Sequence, residues 1–204
     1  MKLTIIGNGS FGSFLKELLS PHFELTDDAE SVILAIPISA YNSWGAQLWD
    51  KHLINVCSTQ KPSTDILLTS ANLITSIHPL FGRRTPENKR NSILTYLSSS
   101  DNDTWDSGLD CQFEFIKIFG KVSKIIDTDH EGKKFTPESH DQLMAKTHLA
   151  AVMAAKQLQI YVERAKDIPD ELVPNSFRLM REFVKTLDDM PQGTIESIMA
   201  NPYF

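Results

Sequence analysis

The 204 residues carry a formal net charge of −6, with 41% hydrophobic and 23% charged side chains, nine glycines and ten prolines. This composition excludes a collagenous, low-complexity or wholly disordered chain and fits one compact domain, or a core domain with a helical appendage. An acidic balance without long Lys or Arg runs argues against an electrostatic grip on nucleic acid or anionic lipid, so the expected partner is a small molecule.

Taken in chain order, an apolar run over 3–6 ends at a glycine and is followed by a helical pattern over 10–19, with Phe11, Phe14, Leu15, Leu18 and Leu19 on one side. Ser20 and Pro21 stop that helix, 23–26 reads as a second strand, and SVILAI at 31–36 reads as a buried strand closed by Pro37. A helix over about 40–49, a strand at 53–56, a helix after Pro62, strands at 73–77 and 93–97, a helix over 103–119 and a strand at 122–126 continue the alternation. Strands alternating with helices predict a Rossmann-like α/β domain over 1–127, built on a mostly parallel sheet covered on both faces. Beyond Asp127 the strand signals end. Pro137 opens a long helical pattern to about Ala165, and shorter helices follow over 176–187 and 194–200, which predicts an all-helical domain over 136–204. The apolar positions Leu149, Val152, Met153 and Leu158 ask for more cover than a short tail gives itself, so a homodimer through these helices is expected.

No apolar stretch approaches the roughly 18 residues of a membrane span, and the first residues break into glycine and polar side chains before a signal core develops. Cys57 and Cys111 stand far apart without metal-ligand spacing, so neither a disulfide, a zinc site nor another metal is expected, and the cytoplasm is the expected compartment.

The chemistry begins at Gly7-Asn8-Gly9-Ser10-Phe11-Gly12, a GxGxxG that follows a strand and opens a helix. The first glycine permits a tight turn, the second lets backbone approach a pyrophosphate, the third lets helix pack on strand, and the helix amino end offers N–H groups to the anion. An acidic residue about 20 positions on should meet the adenosine ribose. Asp27 and Asp28 are the candidates, and with no basic residue nearby they favour NAD, with NADP as the alternative. They stand so close to the 31–36 strand that no room remains for the usual helix, and a solvated loop acid is the competing reading of Asp27. Ser58 and His78 fall just past predicted strand ends, the edge where ligands bind in such sheets. There a hydroxyl and an imidazole can hold one substrate hydroxyl, and the histidine can take its proton. A surface turn residue is the competing reading of His78.

These segments together resemble the prephenate and arogenate dehydrogenases. The glycine fingerprint, VILAIP, Cys57-Ser58 with Lys61, HPLFG at 78–82, His140-Asp141 followed by Met144-Ala145, and the ending IESIMANPY occur in that family's order over almost the whole chain. The resemblance implies oxidative decarboxylation of a cyclohexadienol in tyrosine biosynthesis, with NAD or NADP as hydride acceptor. It also implies that Ile36 and Pro37 border the cofactor, that His78 is the base, that Ser58 sits beside the same hydroxyl and that His140 belongs to the catalytic set. The family's further histidine falls here at Val152; His148, one turn earlier, is its candidate substitute, with loss of that contact as the alternative and a packed helix side chain as the competing reading of His148. A carboxylate substrate asks for an arginine; Arg178 and Arg181 lie in the corresponding helical region, with a solvated helix face as the competing reading of either and Arg83 and Arg84 as rivals. Two other functions remain open: a cofactor-sensing homologue with impaired turnover, and an NAD(P)-dependent reductase of another small substrate.

Overall fold

The computed structural model describes residues 1–98, 106–188 and 190–203. The chain divides into two compact units, Met1–Asp141 and Gln142–Phe204.

In the first unit β1 (Lys2–Ile6), α1 (Ser10–Leu19), β2 (Glu24–Leu25), β3 (Ser31–Leu34), α2 (Tyr41–Gln47), β4 (His52–Asn55), α3 (Gln60–Leu68), β5 (Leu73–Pro79), β6 (Asn91–Leu97), α4 (Asp106–Phe119) and β7 (Lys124–Ile126) follow in order. The start of the helix expected over 103–119 lies outside the described residues. The strands form one sheet in the order β2-β1-β3-β4-β5-β6-β7, parallel except for β5 against β6. This is the Rossmann-like, mostly parallel sheet expected of the sequence. The antiparallel pair was not foreseen, and its cause is the short link after β5. A parallel return needs a crossover of a dozen or more residues, usually with a helix, whereas the link here carries only a three-residue 3₁₀ turn, Glu87–Lys89.

Both faces of the strands are apolar because both are covered. Ile33, Ile54 and Ile77 pack with Phe14, Leu15 and Leu19 of α1 and Phe115 and Phe119 of α4. Val32, Leu34, Leu53 and Ile74 face the other way, against Tyr41 of α2 and Leu67 of α3. Each fully buried aliphatic side chain contributes about 1.5–3 kcal/mol relative to exposure, so these two layers account for the fixed sheet on which the site stands.

The link from β2 to β3 departs most from an ordinary Rossmann half. Both strands lie parallel to β1 on opposite sides of it, and the chain passes from one to the other without a helix. Thr4 of β1 makes the crossing workable. Its hydroxyl donates to the Thr26 carbonyl at 2.9 Å and accepts from the Ala29 N–H at 3.0 Å, satisfying backbone groups that a crossing strap would otherwise leave without partners. β2 is only two residues long, shorter than the strand expected over 23–26.

α5 (Pro137–Met144) begins at a reciprocal cap: Thr136 Oγ1 accepts the Ser139 N–H at 3.1 Å and Ser139 Oγ accepts the Thr136 N–H at 2.9 Å. The division between the units falls inside this helix. In the second unit a π-helical turn, Ala145–Leu149, leads into α6 (Ala150–Arg164), followed by α7 (Asn175–Asp188) and α8 (Gln192–Met199). The single helix expected from Pro137 to about Ala165 is thus interrupted by one wider turn. Leu149, Val152 and Ala155 pack against Leu187, Ile195 and Ile198, with Met153 and Met190 at the margin. Leu149 and Val152, which suggested a partner subunit, are therefore covered within the unit itself. The side chains left exposed are others, Ile160, Tyr161, Leu179 and Phe183 among them.

Candidate active site

The turn after β1 is shaped by two glycines that the fold itself demands and one that it does not. Gly7 has φ +123°, and a Cβ there would lie 2.1 Å from the Ala35 carbonyl oxygen, because the turn presses on the end of β3. A Cβ on Gly12 would lie 2.4 Å from the Gly7 carbonyl oxygen, so α1 can reach the turn only without a side chain there. Gly9 is different. It caps α1 at φ −69° and ψ 177°, a conformation open to any residue, and a Cβ on it would meet nothing within 4 Å. The space above Gly9 adjoins the start of α1 at Ser10 and Phe11, whose first turn holds no acidic residue and no side-chain cap. Uncapped helix N–H groups beside an open glycine fit a pyrophosphate.

Beside this turn lies a cavity of about 540 Å³ bordered by Gly7, Asn8, Asp27, Asp28, Ile36 and Trp44. The missing helix after β2 leaves it bounded by the strap on Thr4. Asp27 and Asp28 are exposed, and Lys51 reaches Asp28 at 3.2 Å and Glu30 at 3.4 Å. Lys16 donates to Asn8 Oδ1 at 2.8 Å. Both lysines at this cavity thus have partners, while Trp44 and Lys51 are members that the sequence did not single out. Pro37 starts the 3₁₀ turn Ile38–Ala40, just past Ile36.

Three strand positions along the same edge, on the order of 14 Å at about 4.8 Å per strand, lies the second group of residues. His78 falls inside β5, not beyond it, and is 3% exposed; it is a buried strand residue and not a surface turn. Its Nδ1 is 2.9 Å from Nε2 of His140, with the rings at 81°. His140 Nδ1 is 2.8 Å from Asp141 Oδ1. Asp141 in turn accepts the backbone N–H of Gln60 at 2.7 Å and of Lys61 at 2.8 Å, the first two residues of α3. His140 and Asp141 are both fully buried. Asp141 and the start of α3 were not foreseen: the adjacent carboxylate was visible in the sequence, but the helix it docks on is some 80 positions away.

Ser58 is half-buried in the turn between β4 and α3. That turn is held from below by Asn55, whose side chain donates to Ser63 Oγ at 2.8 Å and Ser76 Oγ at 3.2 Å and accepts from the Cys57 N–H at 3.0 Å and the Tyr41 hydroxyl at 3.0 Å. Such a fully paired buried network fixes one geometry for the loop. His148 lies half-buried on the π-helical turn of the second unit, and the family's histidine position, Val152, is part of that unit's core. Arg178 donates to the Asp170 carbonyl at 2.7 Å, and Arg181 binds the Asp170 carboxylate and the carbonyls of Ala165 and Ile168. Both arginines thus tie down the link between α6 and α7. Of their rivals, Arg83 forks onto Glu17 at 2.6 and 2.8 Å.

Among the described residues no group of three or more His, Cys, Asp or Glu could hold a metal ion, and no helix is long and apolar enough to cross a membrane.

Neither a family model nor a curated protein sequence matches this chain. Solved structures do. A Corynebacterium glutamicum protein assigned as a prephenate dehydrogenase superposes with a TM-score of 0.67 at 14% identity, over 97% of this chain and 74% of that one. Prephenate dehydrogenase from Aquifex aeolicus gives 0.58 at 16% identity over 97% and 86%, and Synechocystis arogenate dehydrogenase 0.56 at 16% over 98% and 86%. Oxidoreductases solved with NAD or NADP share the architecture as well. The chain therefore has the fold of the prephenate and arogenate dehydrogenases and, more broadly, of NAD(P)-dependent oxidoreductases.

Proposed function

We propose that this protein is an NAD-dependent dehydrogenase acting on a cyclohexadienol carboxylate of the prephenate or arogenate type, as in tyrosine biosynthesis. The observation that carries the reading is Gly9: neither its backbone nor its surroundings require glycine, while a dinucleotide lying on the start of α1 does. A bound nicotinamide dinucleotide supplies the hydride acceptor. The chain supplies the base and the geometry. His78 takes the hydroxyl proton, Ser58 orients the same hydroxyl, and His140 backs His78. Loss of carbon dioxide then aromatises the ring, so little beyond positioning and deprotonation is asked of the protein.

Asp27 and Asp28 beside the cavity, with Lys51 already engaged by Asp28 and Glu30, favour NAD, because a 2′-phosphate would meet carboxylates. The exposed Ile160, Tyr161, Leu179 and Phe183 support a homodimer through the helical unit. The helix-free strap after β2 favours a second reading, in which cofactor binds but turnover is impaired. The test crosses NAD and NADP with prephenate and arogenate and follows reduced nicotinamide by absorbance, with calorimetry of cofactor binding beside it. Turnover with NAD supports the first reading, binding without turnover the second, and no binding of either cofactor overturns both.

A further inference from the structure

The chain of contacts from α3 to His78 has a direction. The N–H groups of Gln60 and Lys61 can only donate, so both oxygens of Asp141 accept. Seated at the amino end of a nine-residue helix, this carboxylate takes hydrogen bonds and gives none. An anion has no proton to give, so the 2.8 Å contact with His140 is made by a proton on His140 Nδ1. A neutral imidazole holds one ring proton, and His140 Nε2 is then an acceptor. The 2.9 Å contact between the rings therefore uses a proton on His78 Nδ1, and the lone pair of His78 falls on Nε2.

We infer that Asp141, through His140, sets the tautomer of His78 and so decides which of its nitrogens can take a proton. This rests on the reading of His78 as the base. Asp141 is a positioning residue, two hydrogen bonds removed from the proton it controls. It acts a second time after transfer, because the imidazolium of His78 then donates from Nδ1 to a neutral ring whose own N–H points at an anion. The first turn of α3 takes part as well, since its two N–H groups hold the carboxylate in place. The fully buried positions of His140 and Asp141 keep water from reassigning these protons.

The test is a long-range ¹⁵N–¹H correlation spectrum of the histidine rings in the full chain, with peaks assigned by His78→Asn and His140→Asn. At neutral pH both rings should carry the proton on Nδ1. In Asp141→Ala, His78 should show averaging between tautomers, and turnover of prephenate with NAD should fall about 10²- to 10⁴-fold with the KM for NAD unchanged. A cap with no further role would lower stability and leave the ring signals of His78 where they were. A proton on Nε2 of His78 in the unsubstituted protein overturns the inference, and so does an unshifted His78 in Asp141→Ala. If Asp141→Ala does not fold, the unsubstituted spectrum still decides. Should that spectrum show Nδ1 protons while neither prephenate nor arogenate is turned over, the tautomer assignment stands and the proposed activity fails.

Discussion

Acid should destabilise the sheet unit through His52, which lies away from the candidate site. His52 is 3% exposed on β4, with Nδ1 3.0 Å from Ser31 Oγ and Nε2 2.8 Å from Thr75 Oγ1 on the neighbouring strands. Burial makes the charged ring costly and lowers its pKa from 6.5 to about 4. Between those values the unfolded chain binds a proton that the folded chain refuses. Stability from this group is therefore complete above pH 6.5, falls as the pH drops through the window and is lost near pH 4. At about 1.4 kcal/mol per pH unit the loss is about 3 kcal/mol, a large share of the roughly 5–15 kcal/mol that holds a domain together. Urea unfolding followed by tryptophan fluorescence at a series of pH values measures it, with Trp44 and Trp49 as reporters in the same unit. His52→Gln removes the titrating group and at least one hydrogen bond, so it should be less stable by about 1 kcal/mol at neutral pH. On acidification the two curves should converge and then cross. Curves that stay parallel from neutral pH to about pH 4 would refute the argument.

The glycines separate fold from ligand. Gly7→Ala should lower the unfolding free energy by more than about 2 kcal/mol, because strain and a backbone clash coincide there, whereas Gly9→Val should cost at most about 1 kcal/mol yet abolish NAD binding by calorimetry. His78→Asn should reduce turnover by roughly 10²- to 10⁴-fold and leave cofactor affinity nearly unchanged, with Ser58→Ala milder, as steady-state kinetics will show; equal rates in His78→Asn and the unsubstituted protein would discard the base assignment. Thr4→Val should destabilise the sheet unit by about 1–3 kcal/mol in thermal unfolding, since two backbone groups of the strap lose their partner. Light scattering should give a dimer mass, and Phe183→Lys a monomer.

Much of the fold was legible because apolar runs that end in glycine or proline mark strand ends wherever the next residues start a helix. The glycine turn was legible for the same reason, whereas the end of β5 was read too early, so that His78 was expected beyond a strand that in fact contains it. β6 could not be oriented from its residues: an apolar run reads alike in either direction, and only the length of the link after β5 carries that information. The π-helical turn at Ala145–Leu149 was hidden because one extra residue in a turn barely alters the spacing of apolar positions. Thr4 looked like any β-branched strand residue, since what distinguishes it is a backbone segment that passes over it. Asp141 was in plain view beside His140, but its task depends on the amino end of a helix far away in sequence.

The two-residue β2 has a consequence for how the protein behaves in a crowd of its own copies. A sheet is open to templated growth at its outermost strands, where unpaired N–H and C=O groups invite a strand from another molecule. Here one border is β2, two residues long with the charged Glu24 and its ion pair to Lys2, and the other is β7, three residues long and opened by Lys124. Neither offers enough contiguous backbone to seat an incoming strand. The same truncation that narrows the nucleotide side of the sheet thus leaves the chain with borders that resist aggregation.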